Sequence, residues 1–533
     1  MPTVSTDHPA PPALTAEAMR EADRYTIEEY GIPSFTLMES AGRGCAEAIQ
    51  STYGPLGGTT VVVLCGKGNN GGDGLVVARR LYEAGARVHV VLASEPDALR
   101  DDPARNLDLL EKLRAEDGEE RLTIGTLADL DALTTTANRL GPRLYVDALL
   151  GTGLTSDVRE PLRGLVEWVN GRPAPTVALD VPTGLHSDTG AVLGTAVQAD
   201  RTVTMAAPKT GLLVGDGPEY AGDVDAVDIG IPGFVLNRVV QEPGCVRETT
   251  DAAVRVWWPT RPRGAYKYSV GTAMVIGGSR RFSGAPTLAS RAAVRSGAGY
   301  VTCACPEPVQ STIAGTLTTV PTLPLSVTDE GVSPNAVERV LGEQADALLV
   351  GPGLGRGADT RRFVHRLLRD NDAPLVLDAD GLNALADLDA DWTEHADESW
   401  ILTPHIGEFR RLAGNVERTD RVRTVQEYAR RWNVVLLLKG QPSIVADPEG
   451  RTYVGRTGTA ALATAGTGDV LAGQCVGLLA QGLPPIQAAA AALHLGGAAA
   501  QQYTSTRDPR TMSASDLIDE LPEVTRERLE VDP

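Results

Sequence analysis

Short apolar runs, each closed by Gly, Asp or Pro, recur along this chain, and helix-period stretches separate most of them. In the first half the runs fall at 59–65, 87–92, 144–146, 176–179 and 202–205. Helical patterns near 15–30 and 36–52 precede them. Thr15 is placed to cap the first, and Glu17 and Glu21 suit its positive end. In the second half the runs fall at 272–276, 300–305, 347–350, 375–377, 400–402, 434–439 and 443–446. The longest helical pattern there, 469–479, leaves a glycine-rich loop. Runs this short and apolar are strands buried on both faces. The pattern therefore predicts an α/β chain with two largely parallel sheets, each covered by helices. Residues 233–251 (GFVLNRVVQEPGCVRETTD) show no clear period, so the joint between two domains is expected there. No repeat period links the two halves, which argues against internal duplication.

Length agrees with this division, since 533 residues exceed one ordinary core and ~100–200 residues per domain is usual. An apolar fraction of 42% and 57 glycines suit α/β domains with many tight turns. Charge narrows the partners: 49 Lys and Arg against 69 Asp and Glu give 49 − 69 = −20. Such a chain is repelled by nucleic-acid backbones and anionic membranes, while a local pocket for one small anion stays open to it. Neither a nucleic-acid nor a membrane partner is expected. The six cysteines form no C-x-x-C pair. Cys303 and Cys305 would share one strand face, but two further ligands at metal spacing are missing. Core thiols in a reducing, cytoplasmic compartment are the expectation. Residues 1–14 lack the basic and apolar regions of a signal peptide and read as a short disordered lead. No run reaches the ~18 apolar residues of a membrane helix. The Ala-rich stretch 488–500, interrupted by His494, Gly496 and Gly497, reads as a close-packed helix. A homo-oligomer is left open.

Three strand ends in the first half carry chemistry. The first run enters Gly66-Lys67-Gly68-Asn69-Asn70-Gly71-Gly72-Asp73-Gly74 and then a helix. Glycine amides at a helix N-terminus can approach a phosphate. Gly66, Gly68 and Gly71 fit the G-x-G-x-x-G dinucleotide fingerprint, a weak signal alone, but Asn69, Asn70 and Asp73 add oxygens that hydride transfer does not need. The bland alternative is a tight turn. The second strand ends in Asp147-Ala148-Leu149-Leu150-Gly151-Thr152-Gly153, the third in Asp180-Val181-Pro182-Thr183-Gly184-Leu185. One Asp at a strand end is often only a helix cap. Two beside glycine-rich turns point to a site, because strand carboxyl ends gather at one crevice in an open parallel sheet.

GNNGGDG, DALLGTG and DVPTGL, in this order, resemble the NAD(P)H-hydrate epimerase family over residues 14–235. The resemblance implies a Rossmann-like three-layer domain. It implies that Asn69, Asn70, Gly71, Gly72 and Asp73, with Gly151, Thr152, Gly153, Leu154, Thr155, Ser156 and Asp157, contact the hydrated dinucleotide. It places Asp180 at the reacting ring and K⁺ near Asn70, Asp147 and Thr183. The family usually has Ser at the last position, and Thr183 keeps the hydroxyl. Inverting the carbon beside the ring nitrogen needs proton transfer at its hydroxyl and at the ring, work suited to a placed carboxylate such as Asp180.

The strongest signal in the second half is Thr464-Ala465-Gly466-Thr467-Gly468-Asp469 at the start of a helical pattern. Amides of Gly466, Thr467 and Gly468 there form an anion hole. A carboxylate at its mouth repels phosphate, so Asp469 reads as the base for an attacking hydroxyl; a plain helix cap is the alternative. Upstream, GPGLG (351–355), DADGLN (378–383), TPHIGE (403–408) and KGQPS (439–443) each follow a strand. Each is weak alone, and a lone His405 is more often structural.

Together these resemble the ribokinase-like NAD(P)H-hydrate dehydratase family over residues 252–525. The resemblance implies substrate contacts at Ala285, Gly353, His405 and Asp469. It implies nucleotide contacts at Lys439, Gly440, Gln441, Pro442, Ser443 and Gly468. Two departures stand out: Tyr266-Lys267-Tyr268 where the family often shows His-Lys-Gly, and Ser443 where Thr is common. The implied reaction starts when Asp469 deprotonates the ring hydroxyl. That oxygen takes the terminal phosphoryl of ADP, held with Mg²⁺, and loss of phosphate returns NADH or NADPH. Bacterial relatives with this fusion use ADP, which is therefore expected over ATP. Three other readings compete: a small-molecule kinase with an accessory nucleotide-binding domain, a non-catalytic binding protein, and a dehydrogenase resting on the glycine fingerprint alone.

Overall fold

The computed structural model describes residues 12–117, 120–240, 245–387, 392–414 and 420–529. The chain divides into two compact units, Met1–Gln241 and Glu242–Pro533.

In the first unit, Val61, Val63 and Cys65 face one apolar cluster while Val62 and Leu64 face another. A strand buried on both sides needs helices on both, as period-two alternation dictates. The sheet runs in the order Leu122–Thr126, Arg87–Leu92, Thr60–Cys65, Leu144–Ala148, Thr176–Leu179, Arg201–Met205, Asp223–Val227, all parallel. This is the Rossmann-like order, with the chain leaving Thr60–Cys65 first to one side and later to the other. The switch point lies between Thr60–Cys65 and Leu144–Ala148, and a crevice opens there at the carboxyl ends. The edge strands Leu122–Thr126 and Asp223–Val227 escape the pattern because they are only partly buried.

The helical start also differs in detail. Thr15 caps Ala16–Arg24 by accepting from the Ala18 amide at 3.2 Å. Glu17 lies in the first turn, whereas Glu21 pairs with Arg24. The chain then widens into a π-helix at Tyr25–Tyr30. Residues 1–11 lie outside the described part, but residues 12–14 are not a loose lead. All three are buried. Leu14 bridges to Lys209, donating to the Pro208 carbonyl at 2.8 Å and accepting from the Thr210 amide at 3.0 Å.

In the second unit the sheet order is Val246–Glu248, Thr452–Val454, Ile444–Ala446, Val435–Leu438, Trp400–Leu402, Leu375–Leu377, Ala347–Val350, Thr272–Ile276, Tyr300–Pro306, Thr322–Leu325. The run from Val435–Leu438 to Thr322–Leu325 is parallel, and Ile444–Ala446 is antiparallel to both its neighbours. The switch point here lies between Thr272–Ile276 and Ala347–Val350. Helix Thr467–Leu479 packs on Gly284–Arg295 through two glycines. A Cβ on Gly473 would lie 2.2 Å from the Ala289 carbonyl, and one on Gly477 2.7 Å from that of Ala293. Only glycine allows backbones this close, and the contact fixes where that helix begins.

One expectation is corrected. The longest helix of this half is Pro485–Thr504, not the stretch ending at Leu479. Its small residues hide a helical period because nearly every face is buried. The aperiodic segment 233–251 contains helix Gly233–Val239 and strand Val246–Glu248, both too short to show a period. Cys303 and Cys305 are buried free thiols. Among the described residues no helix is long and apolar enough to cross a membrane.

Candidate active sites

The crevice of the first unit is built by three strand ends. Helix Asn69–Glu83 follows the first, and its glycines serve close packing: a Cβ on Gly71 would meet the Gly66 carbonyl at 1.8 Å, and one on Gly72 the Met38 sulfur at 2.7 Å. Asn69 is exposed, whereas Asn70 is buried with neither its side-chain oxygen nor its nitrogen bonded. Asp147, fully buried, accepts from the Thr183 amide and hydroxyl at 2.8 Å each and from the Leu149 amide at 3.2 Å. The Thr183 hydroxyl in turn accepts from the Leu150 amide at 2.9 Å. Burial pushes Asp147 up to about 6, against the pull of those donors.

Asp180 sits just beyond its strand at φ 66°, in the left-handed region. A Cβ on Gly151 would lie 3.4 Å from its Oδ2 and 3.4 Å from Asn70 Cβ, so Asn70, Gly151 and Asp180 share one spot. Thr152 continues from there, and its carbonyl accepts from the Ser187 hydroxyl at 3.4 Å. The segment Gly153, Leu154, Thr155, Ser156 and Asp157 is largely exposed, with Asp157 against Gly194. Among the described residues no hydrogen bond or ion pair ties that segment to Asp180.

Sequence reasoning missed Lys209, whose ammonium pairs with Asp180 Oδ1 at 2.5 Å and whose side chain is 1% exposed. The signal was available: one lysine inside the apolar stretch 202–214, directly after a strand. Asp23 and Asp73 face the same cluster. Burial lifts Asp23 to about 6 and Asp73 well above the ordinary range; Asp180 adds to both shifts and Lys209 opposes them.

In the second unit, Asp469 lies in the first turn of Thr467–Leu479, after Gly466 at φ 92°. Val470 donates the first intrahelical bond, to Gly466 at 3.1 Å, so the amides of Gly468 and Asp469 precede the ladder and are open to an anion. Lys439 Nζ donates to Asp378 at 2.7 Å and lies 3.4 Å from where Gly468 would carry a Cβ. Lys439, Gly468, Asp469 and Asp378 therefore converge. Burial pulls the Lys439 ammonium down, and Asp378, Glu408 and Asp469 more than reverse that. Asp469 is pushed up to about 7, first by burial and then by Asp378, with Lys439 opposing.

The loop Gly440, Gln441, Pro442 and Ser443 is closed by the Ser443 hydroxyl, which donates to the Gly440 carbonyl at 2.9 Å. Gly353, at φ 63°, lies against Phe282 and Ala285, where a Cβ would meet their Cβ atoms at 2.7 and 3.3 Å. Asp380, another residue missed as functional, ties two motifs by accepting from the Gly355 amide at 2.8 Å and from Arg356 at 3.2 Å. His405 is the N-cap of Ile406–Ala413: its Nδ1 accepts from the Gly407 amide at 2.9 Å, and the Glu408 carboxylate accepts from the His405 amide at 2.9 Å. Capping accounts for Nδ1, and Nε2 lies 3.5 Å from Glu408 Oε1 while the side chain stays largely exposed.

Residues 34–211 match the family described as YjeF-related protein N-terminus, and residues 273–523 match NAD(P)H-hydrate dehydratase. A bifunctional NAD(P)H-hydrate repair enzyme of Salinibacter ruber is 67% identical over 97% of this chain and 97% of its own. The enzyme of the same name from Moorella thermoacetica is 40% identical over 96% of each chain. A Bacillus subtilis ADP/ATP-dependent NAD(P)H-hydrate dehydratase, crystallised with ATP and Mg²⁺, is 32% identical. That likeness covers 52% of this chain and 97% of the other, with a TM-score of 0.47.

Proposed function

Because this chain belongs to the bifunctional NAD(P)H-hydrate repair enzymes, we propose that residues 14–235 are its epimerase and residues 252–525 its dehydratase. It is a cytoplasmic metabolite-repair enzyme for hydrated NADH and NADPH. The first domain interconverts the R and S hydrates. The second dehydrates the S form at the expense of ADP, giving AMP and phosphate. One observation carries the reading: each unit gathers an acid–base carboxylate, a lysine and a glycine-rich helix start at strand carboxyl ends.

In the dehydratase, Asp469 takes the proton of the ring hydroxyl, and its raised pKa makes it a competent base near neutrality. The hydroxyl oxygen then bonds to the β-phosphorus of ADP, and AMP departs with the electron pair. Amides of Gly468 and Asp469, with Lys439, hold the phosphates. Loop residues Gly440 to Ser443 contact the nucleotide. Ala285, Gly353 and His405 line the hydrate. Phosphate then leaves the ring carbon with the C–O electron pair, the neighbouring ring carbon gives up a proton to the departing phosphate, and the new double bond is that of the reduced nicotinamide. Mg²⁺ would enter with the nucleotide, held chiefly by phosphate oxygens, and would neutralise their charge; among the described residues no group of three carboxylate, imidazole or thiol side chains stands together as a metal cage.

In the epimerase, Asp180 exchanges protons with the substrate while Asn69, Asn70, Gly71, Gly72, Asp73 and the segment 151–157 bind the dinucleotide. The residues fit K⁺: Asn70 has a buried, unbonded amide oxygen, and Asp147 and Thr183 add only oxygen donors. That ion would supply fixed positive charge beside the strand ends.

The test supplies mixed R and S NADH hydrate with ADP and follows return of the reduced-nicotinamide absorbance alongside AMP and phosphate. Recovery is expected to pass the S fraction and approach completion. A stable phosphorylated product with no return of absorbance would mean a small-molecule kinase.

A further inference from the structure

The Lys209 side chain has three N–H donors, and all three are engaged inside the protein. They meet Asp180 Oδ1 at 2.5 Å, the Met205 carbonyl at 2.7 Å and the Thr204 hydroxyl at 3.1 Å. The lysine is 1% exposed, so it offers neither a free donor nor a free face to a ligand. It cannot itself hand a proton to substrate. Its one charge goes to one oxygen of one carboxylate.

That choice is not forced by charge alone. Asp23 on helix Ala16–Arg24 and Asp73 on helix Asn69–Glu83 face the same cluster, and Asp180 stands at the strand end. All three carboxylates are within electrostatic reach of one ammonium, and only Asp180 touches it. Backbone geometry decides among them. Residues 206–209 leave strand Arg201–Met205 through Ala206 at φ 63°. Leu14 then grips the segment, bonding to Pro208 and Thr210 on either side of Lys209. The stem is directed back along its own strand, where Met205 and Thr204 hold the ammonium against Asp180.

The effect on Asp180 is asymmetric. Oδ1 accepts from Lys209 and lies within 3.3 Å of the Thr204 hydroxyl and 3.4 Å of the Met205 amide. Oδ2 has no hydrogen-bond partner among the described residues and lies on the side of Gly151 and Asn70. We infer that Lys209 is the positioning residue of the epimerase site: it locks Asp180 Oδ1 so that Oδ2 alone works on the substrate. The inference rests on the reading of Asp180 as the acid–base group. Lys209 acts wholly through that carboxylate and contributes little to substrate affinity.

The experiment uses the full chain, whose dehydratase activity on the S hydrate reports in every variant that the second unit is intact. Lys209→Ala removes the cation and leaves a slot the size of a small alkylammonium ion. Epimerase kcat is expected to fall ~10²–10³-fold with KM within about threefold, the pattern of a group acting on the chemical step. Added ethylammonium should restore turnover saturably, an effect a merely structural lysine would not show. Asp180→Asn should lose epimerase activity, and adding Lys209→Ala to it should cost nothing further. Full turnover by Lys209→Ala, or a loss that ethylammonium cannot relieve, overturns the inference. An active Asp180→Asn instead overturns the reading of Asp180, whatever Lys209→Ala does.

Discussion

Lys439 donates to Asp378 at 2.7 Å, and the same ammonium lies beside Gly468, one residue before Asp469. A buried carboxylate and a lysine thus stand behind the base with opposite effects on it. Asp378 raises the Asp469 pKa and Lys439 lowers it, while burial, the largest cause, raises it. The pair holds the base where it can both accept and release a proton near neutral pH.

Asp469→Asn keeps the shape and the helix amides but loses the proton acceptor. Dehydration of the S hydrate should fall by ~10²–10⁴-fold, with ADP binding kept and epimerisation untouched. Turnover and calorimetric titration of ADP decide it. Persisting turnover removes Asp469 from the chemistry, and joint loss of turnover and binding reduces it to a helix cap.

The same substitution has a signed effect on stability. Asp469 titrates at about 7 in the folded chain against 3.8 ordinarily. Protonated Asp469 carries no burial penalty, so both proteins fare alike below the ordinary value. As pH rises from there to about 7, the unfolded chain ionises this group while burial keeps the native one protonated, a loss of stability the Asn variant escapes. Melting at pH 4.5 and pH 8 should show the variant gaining on the wild type by ~1–4 °C at the higher value. A gain at low pH only would mean that the ionised carboxylate is stabilised in place.

Lys439→Met removes the cation that lowers Asp469. Dehydratase kcat should rise with pH as Asp469, pushed up to about 7, ionises, and in the variant that rise should move to higher pH. ADP should also bind more weakly, since one phosphate contact is gone. An unshifted pH profile would separate Lys439 electrostatically from the base.

Thr183→Val deletes the hydroxyl that donates to Asp147 and accepts from Leu150. Leaving a fully buried carboxylate short of a donor should destabilise the first unit by ~1–3 kcal/mol. With K⁺ bound beside Asp147 and Thr183 as proposed, stimulation of epimerisation by added K⁺ should also weaken in this variant. Thr183→Ser should behave as wild type in denaturant melts and in K⁺ titration. An equal loss in both variants would mean that the methyl group, not the hydroxyl, matters.

The central strands were legible because full burial on both faces leaves an uninterrupted apolar run, as in Thr176–Leu179 and Trp400–Leu402. Strand ends followed, and with them Asp147, Asp180 and the Asn69 loop. Partly buried edges such as Asp223–Val227 carry no such run. Lys209 stood out only as a lysine in an apolar stretch; its role was hidden because its partner lies 29 positions earlier, and only folding brings the two to 2.5 Å. His405 shows the reverse limit: its motif was readable, but that its ring caps its own helix was not.

The left-handed turn at Asp180 also bears on how this position can evolve. Backbone at φ 66° admits Asn, Gly and, less readily, His in place of Asp. Each is one nucleotide away from an Asp codon, and none has a carboxylate. Glu is equally near in the genetic code and keeps the acid, but it fits the turn poorly, and its longer arm would carry the working oxygen past Gly151. The substitutions the backbone tolerates are those the chemistry rejects, and the one the chemistry would accept is strained. Drift at this codon therefore has no functional neighbour to reach by a single step.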